Sequence, residues 1–234
     1  MDNPNIAVIA RIKSDFPTKF GIPRQSGLAE SLEATIIFEP EFRNTDALRG
    51  IEGYSHLWLI WQFSEAVRSG WSPTVRPPRL GGNARMGVFA TRSPFRPNNL
   101  GLSSVKLLGV EETKKFGTVL HVAGADLMDG TPIFDIKPYI PYTDSHPEAT
   151  GGFTDTADNF LLEVDYPSEL LNKLSEAKRA AALEVLAHDP RPSYHQDPQR
   201  VYGLTFAGYN IRFTVCDSKL QVIDTEIAGE HNDH

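Results

Sequence analysis

The chain has 234 residues, 40% hydrophobic and 23% charged, with a formal net charge of −7. These proportions suit one large globular domain, or a main domain with a small one, and exclude global disorder. The acidic balance excludes a uniformly basic nucleic-acid coat but leaves room for a local basic site, and the single cysteine, Cys216, excludes an intrachain disulfide framework and a thiolate metal cluster.

No apolar run reaches membrane-spanning length. The start, MDNPNIAVIARIKSDF, lacks the basic start and long apolar segment of a secretory signal, so a cytoplasmic protein is expected. Residues 6–12 are a β-branched run with strand character. Residues 14–28, SDFPTKFGIPRQSGL, hold two prolines and two glycines and read as a loop displaying Lys19, Arg24 and Gln25. Residues 34–38 are a second strand, closed by Pro40, and 45–48 a helical turn. Residues 54–63, YSHLWLIWQF, are nearly continuously apolar, a strand expected to be buried on both sides or at an interface. His56 within it reads either as a satisfied core histidine or as a catalytic one.

A Pro/Gly/Arg loop at 73–83 leads to an expected strand at 87–91, then to further strands at 103–110 and 118–125. The run DLMDGTPIFDIKPYIPY closes the first region at Tyr142, and Asp129-Gly130-Thr131-Pro132 within it is a turn signal surrounded by Asp126, Asp135 and Lys137. No GxGxxG follows a strand, so a Rossmann site is not supported. About seven short strands joined by turn-rich loops predict a mostly β fold, an antiparallel barrel or sandwich over 1–142. Residues 143–159 are polar and read as a linker or flap, and 160–234 as a small C-terminal α+β domain. That domain is expected to hold one helix at 168–187, capped by Ser168, and a Pro/Arg loop at 188–200. A hairpin over 201–216, with Cys216 as a buried structural thiol, and a last strand at 220–227 complete it.

The most unusual stretch is 86–105, MGVFATRSPFRPNNLGLSSV. Its prolines fix φ and deny ladder hydrogen bonds, while Asn and Gly permit tight turns. A stiff loop bearing two guanidinium forks, Arg92 and Arg96, suits a carboxylate-bearing or otherwise anionic ligand. The alternative is a rigid hairpin whose arginines pair with surface acids. Arginine-bearing loops recur around Arg24, Arg79 and 191–200, with Phe89, Phe95, Tyr139, Tyr194 and Tyr202 near them. Gathered on one rim, such loops would hold phosphates and stack bases; otherwise they are four unrelated stiff loops. His56, His121 and the acids lack paired-histidine spacing, so no metal is expected.

The segments DFPTKFGIPRQSGL, GYSHLWLIWQF, GVFATRSPFRPNNLGLSSV, DLMDGTPIFDIKPYIPY and DPRPSYHQDPQRVYGLTF resemble the TsaA-like/TrmO family of tRNA N6-threonylcarbamoyladenosine methyltransferases. Many members read RPNP where this chain has Asn98-Asn99. The resemblance implies a small antiparallel β-barrel that binds S-adenosylmethionine without a Rossmann sheet, a homodimer with the cofactor close to the subunit contact, and a C-terminal region that helps hold tRNA. It implies that Phe89, Thr91, Arg92, Ser93, Arg96 and Leu100, with Asp126 and Thr131, surround the cofactor. Asp135, Lys137 and Tyr139 would face the reacting base; on chemical grounds Asp135, or Tyr139 lowered by Lys137, is expected to take the proton, unless Asp135 is only a turn acceptor. Arg191, Tyr194 and Arg200 are expected to hold the anticodon arm, unless Arg191 and Arg200 pair with Asp189 and Asp197 and merely stiffen the loop. The competing class is a dimeric module that senses S-adenosylmethionine or another metabolite without catalysis.

Overall fold

A computed structural model describes residues 6–67, 70–77, 84–155, 160–192 and 197–229. Six antiparallel strands make the first sheet: β1 (Ala10–Lys13), β2 (Glu33–Phe38), β3 (His56–Gln62), β6 (Leu100–Thr113), β7 (Gly117–Ala123) and β8 (Pro132–Pro138). They pair in the order β1-β2-β7-β6-β3-β8, and β8 returns to β1 through Ala10–Ile133 and Arg11–Pro132, which closes the ring. A two-stranded ribbon, β4 (Thr74–Val75) with β5 (Met86–Gly87), lies in the connection between β3 and β6. Period-2 alternation decides the inside: Ile12, Ile36, Leu57, Leu59, Trp61, Val105, Leu120, Val122 and Ile133 are buried together.

After a short helix α1 (Pro141–Asp144), the chain builds a second sheet from β9 (Glu163–Asp165), β10 (Tyr202–Phe206), β11 (Tyr209–Cys216) and β12 (Lys219–Ile227). Its order is β10-β11-β12-β9, with only β9 parallel to its neighbour. The helices α2 (Ser168–Leu171) and α3 (Glu176–Ala187) accompany it, and Ala181, Ala182, Val185 and Leu186 of α3 enter its core.

The connection from β1 to β2 belongs by packing to this second core, although it lies near the start of the chain. Phe16, Ala29 and Leu32 are buried there with Leu204, Phe206 and Phe213. Lys178 Nζ lies 2.6 Å from Asp15 Oδ2, Glu184 accepts from the Ser31 amide and hydroxyl at 2.8 and 2.6 Å, and His188 Nε2 bonds the Leu28 carbonyl at 2.6 Å. On its other side the strap touches the barrel: Gly27 N donates to Gly124 O at 2.8 Å, and a Cβ on Gly124 would stand 3.2 Å from the Gly27 backbone.

Several expectations are corrected. The expected strand at 87–91 ends at Gly87, because the Val88–Ala90 segment turns into a 3-10 helix. The stretch 54–63 is not buried on both sides: His56, Trp58, Ile60 and Gln62 are only partly covered, facing out of the ring. The single helix at 168–187 is two, because Leu174 drops into the core and Ser175 begins a second helix; Pro167, not Ser168, occupies the first N-cap. Cys216 is exposed rather than buried, since alternation along β11 puts Val215 inside and Cys216 outside. The three-residue β9 was not anticipated, being too short to show a period.

Among the described residues no helix is long and apolar enough to cross a membrane, and no group of three His, Cys, Asp or Glu could hold a metal ion.

Candidate active site

The antiparallel pairing brings four chain segments to one end of the ring: the strap after β1, the end of β3, the loop before β6 with the start of that strand, and the exit of β7. There Trp61 Nε1 donates to Ser103 Oγ at 2.9 Å, and Ser103 Oγ donates to Asp126 Oδ1 at 2.6 Å. Trp61 and Ser103 are almost fully buried. Burial pushes the Asp126 carboxyl above its ordinary value, while the Ser103 hydroxyl, backbone N–H groups and the Arg92 charge draw it partly back. Arg92 reaches across to the strap, donating to Gln25 Oε1, and Ser26 Oγ accepts the Ser104 amide at 3.2 Å. A guanidinium, a carboxamide and a water-poor carboxyl thus converge from three loops.

The 88–99 loop earns its stiffness internally. Thr91 Oγ1 donates to Val88 O at 2.9 Å and accepts Ser93 N at 3.2 Å, Ser93 Oγ accepts Phe95 N at 3.2 Å, and Arg96 donates to Thr91 O at 3.0 Å. Asn99 Nδ2 ties Pro94 O at 2.7 Å and Ala66 O at 3.4 Å, so its amide supplies a brace where a second proline would have fixed the turn by φ alone. Of the expected cofactor residues, Arg92 and Asp126 come together. Thr91, Ser93 and Arg96 frame the loop, and Leu100 faces outward opposite Gln62. Phe89 is 73% exposed and stacks its ring on Trp71. Thr131 is buried in the turn before β8, its hydroxyl on Met128 O at 2.7 Å.

Asp135, Lys137 and Tyr139 form a second group. Asp135 pairs in register with Ile60, and Lys137 with Trp58, so both stand on the outward side of the wall whose inward side carries Trp61 and Ser103. Lys137 Nζ lies 2.9 Å from Asp135 Oδ2. Tyr139 stands four residues beyond Asp135, about 13 Å along the strand, with its ring against His56 and Trp58. His56 is neither a core histidine nor part of the Asp126 group: it lies half-covered on this outward side, bonded to Ser55 Oγ at 3.0 Å.

In the tail loop, Arg191 is engaged by Asp189 through two bonds of 2.9 Å, which is the loop-stiffening alternative. Asp189 holds this pose at φ 50°. Arg200 lies over the Tyr202 ring, 5.4 Å from its centroid. Tyr194 and Arg79 lie outside the described residues.

A family model for the tRNA-methyltransferase O N-terminal domain matches residues 11–145, and one for the family's C-terminal domain matches 160–228. The chain belongs to the tRNA-methyltransferase O family. The tRNA (adenine(37)-N6)-methyltransferase of Escherichia coli K12 is 41% identical over 226 residues, 93% of this chain and 96% of that protein. A Pseudomonas aeruginosa protein named for S-adenosylmethionine-dependent methyl transfer is 39% identical, over 86% of this chain and 87% of its own. The crystal structure of TrmO from Pseudomonas aeruginosa superposes with a TM-score of 0.79 at 33% identity, covering 97% of this chain and 99% of that one. Sequence reasoning for this family member missed Trp61, Ser103 and Ser26 as parts of the site, and took Gln25 only as a displayed loop residue. The available signal was the polar pair Ser103-Ser104 inside an apolar strand.

Proposed function

We propose that this protein uses S-adenosylmethionine to methylate N6 of adenine 37 in tRNA, on the threonylcarbamoyl-bearing adenosine beside the anticodon. The near-full-length identity to the E. coli enzyme of that activity carries the reading. The residues at the barrel end suit the cofactor. Arg92 presents a fork matched to a carboxylate, and Asp126, shielded from water, can take an ammonium or ribose hydroxyls. Bound there, S-adenosylmethionine supplies an already activated methyl group. The residues of the chain then need only to hold the acceptor nitrogen in line, an alignment worth several kcal/mol of barrier. Asp135, ion-paired with Lys137 on the outward face of the wall, is the proposed acceptor of the N6 proton in the homodimer described next, where the subunit contact sets that face against the cofactor end of the second copy. That proton lies between purine and carbonyl, so a modest base suffices. Incubation with tRNA and methyl-labelled cofactor, followed by mass spectrometry of the digested nucleosides, should give labelled N6-methyl-threonylcarbamoyladenosine. Cofactor binding without any labelled nucleoside would leave a sensing module as the function.

The same reading includes a homodimer. Trp58 and Ile60 of β3 and Leu102 of β6 make a shallow apolar groove on the outward wall, and Leu102 is 53% exposed. A second copy docking on this wall would cover it and bring a subunit contact beside Asp135 and Lys137. Light scattering at micromolar concentration should give twice the chain mass, and Leu102→Asp should halve it. A monomeric parent protein would remove the dimer from the proposal.

A further inference from the structure

Residues 66–105 contain six arginines and no aspartate or glutamate, on a chain whose formal net charge is −7. Four of the six, Arg76, Arg85, Arg92 and Arg96, are among the described residues. None of these four forms an ion pair with a described carboxylate, whereas Arg11, Arg49, Arg191 and Arg212 each do. The segment thus carries no acid of its own to neutralise its cations, and of these four only Arg92 has a carboxyl, that of Asp126, acting on it at longer range.

The ribbon organises two of these arginines. β4 and β5 pair Thr74 with Gly87 and Val75 with Met86, so the next facing positions are Arg76 and Arg85, both exposed. Like charges opposite one another destabilise a ribbon, and a bound anion removes the repulsion. At the other end of the ribbon, held by the Val88 N to Pro73 O bond of 3.0 Å, the rings of Trp71 and Phe89 stack with centroids 6.1 Å apart. They are 52% and 73% exposed, an unusual position for two large aromatic faces. Trp71 also borders a cleft of about 260 Å³ with Phe95, Arg96 and Asn99. Unpaired guanidiniums alone would suit any polyanion. Open aromatic faces beside them select one whose bases can stack.

We propose that the arginine ribbon and the Trp71–Phe89 pair are the principal docking surface for single-stranded anticodon-loop RNA, with phosphates on Arg76 and Arg85 and an unstacked base against Trp71. This rests on the reading that tRNA is the substrate, and it moves the main RNA contact from the tail loop, where Arg191 is already engaged by Asp189, to the edge of the barrel. The test measures binding of tRNA by the full-length protein across a salt series, with S-adenosylmethionine affinity followed by calorimetry. Arg76→Ala/Arg85→Ala should weaken tRNA binding about tenfold or more and lower the slope of log K against log salt by about 1.4 to 1.8, since each lost phosphate contact removes about 0.7 to 0.9. Arg76→Lys/Arg85→Lys should restore the slope. Trp71→Ala should weaken binding about tenfold with the slope unchanged. Cofactor affinity should stay at the parent value in all three. Parent-like tRNA affinity in both alanine variants, while the parent protein binds and methylates tRNA, would overturn this inference alone. A parent protein with no affinity for tRNA would remove the substrate reading together with it. Loss of the dimer in Trp71→Ala would assign the ring to a subunit contact and likewise overturn the proposal.

Discussion

Replacing Asp126 with asparagine should make the protein more stable at neutral pH and weaken cofactor binding at least tenfold. The carboxyl is largely withdrawn from water, and burial raises it from its ordinary value of 3.8. Asparagine keeps the shape and still accepts the Ser103 hydroxyl through Oδ1, without the cost of a buried charge. The sign follows from linkage. The folded state holds the Asp126 proton more tightly than the unfolded chain does. Its contribution is therefore fully present below the unfolded value and is lost as pH rises through the raised folded value. Thermal melts of the two proteins should differ least in acid and diverge as pH rises through that window, with the variant above. A charge-assisted hydrogen bond to ligand is worth about 1.5–3 kcal/mol, hence the expected loss of affinity. Equal affinity in calorimetry would take Asp126 out of the cofactor site, and a constant gap in melting temperature across pH would take away the account of its burial.

Gly101→Ala should lower the melting temperature by several degrees and disturb the same site from behind. A Cβ at this position would stand 2.3 Å from Trp61 Cε2 and 2.5 Å from Cζ2. The ring cannot retreat freely: its N–H is held by Ser103 at 2.9 Å, Phe63 packs 4.3 Å away between centroids, and only 5% of the residue is exposed. Overpacking of this kind costs about 1–3 kcal/mol, roughly 2–4 °C per kcal/mol in a chain of this size. Trp61→Phe removes the clashing half of the indole, so the double variant should recover part of the loss. Strict additivity of the two single changes would show that the ring and the glycine do not meet.

Much of the strand structure was legible because β2 in the barrel and the β10–β11 hairpin in the second sheet carry period-2 patterns that need no knowledge of their partners. The loop at 88–99 was legible for a different reason: its Pro, Asn and Arg content fits no regular element. What the pattern could not carry was the side of the wall. Asp135 and Asp126 stand nine residues apart in the chain and looked like one acidic cluster, but the register of β8 against β3 turns Asp135 outward while Asp126 bonds inward to Ser103. The same limit applies to the strap after β1. Its composition announced a loop, and only the fold could reveal that Phe16, Ala29 and Leu32 insert into a core whose other fully buried members lie about 130 or more residues later. Arg191 carried two readings in the sequence, and the structure pairs it with Asp189, two residues away in a left-handed pose that no period signals.

That strap has a consequence for how the protein comes into being. Phe16, Ala29 and Leu32 close on Leu204, Phe213 and Val222, which emerge from the ribosome about 170 or more residues later. Until then the early segment has no core to enter, and Gln25 and Ser26 rest on the strap's barrel bonds, such as Gly27 N to Gly124 O, when they meet Arg92 and Ser104. A nascent chain that has completed every barrel strand therefore still lacks the packing that backs the Arg92–Asp126 end. Completion of the strap's packing therefore waits for β10 to β12, and a chain that has lost them loses the apolar footing beneath Gln25 and Ser26.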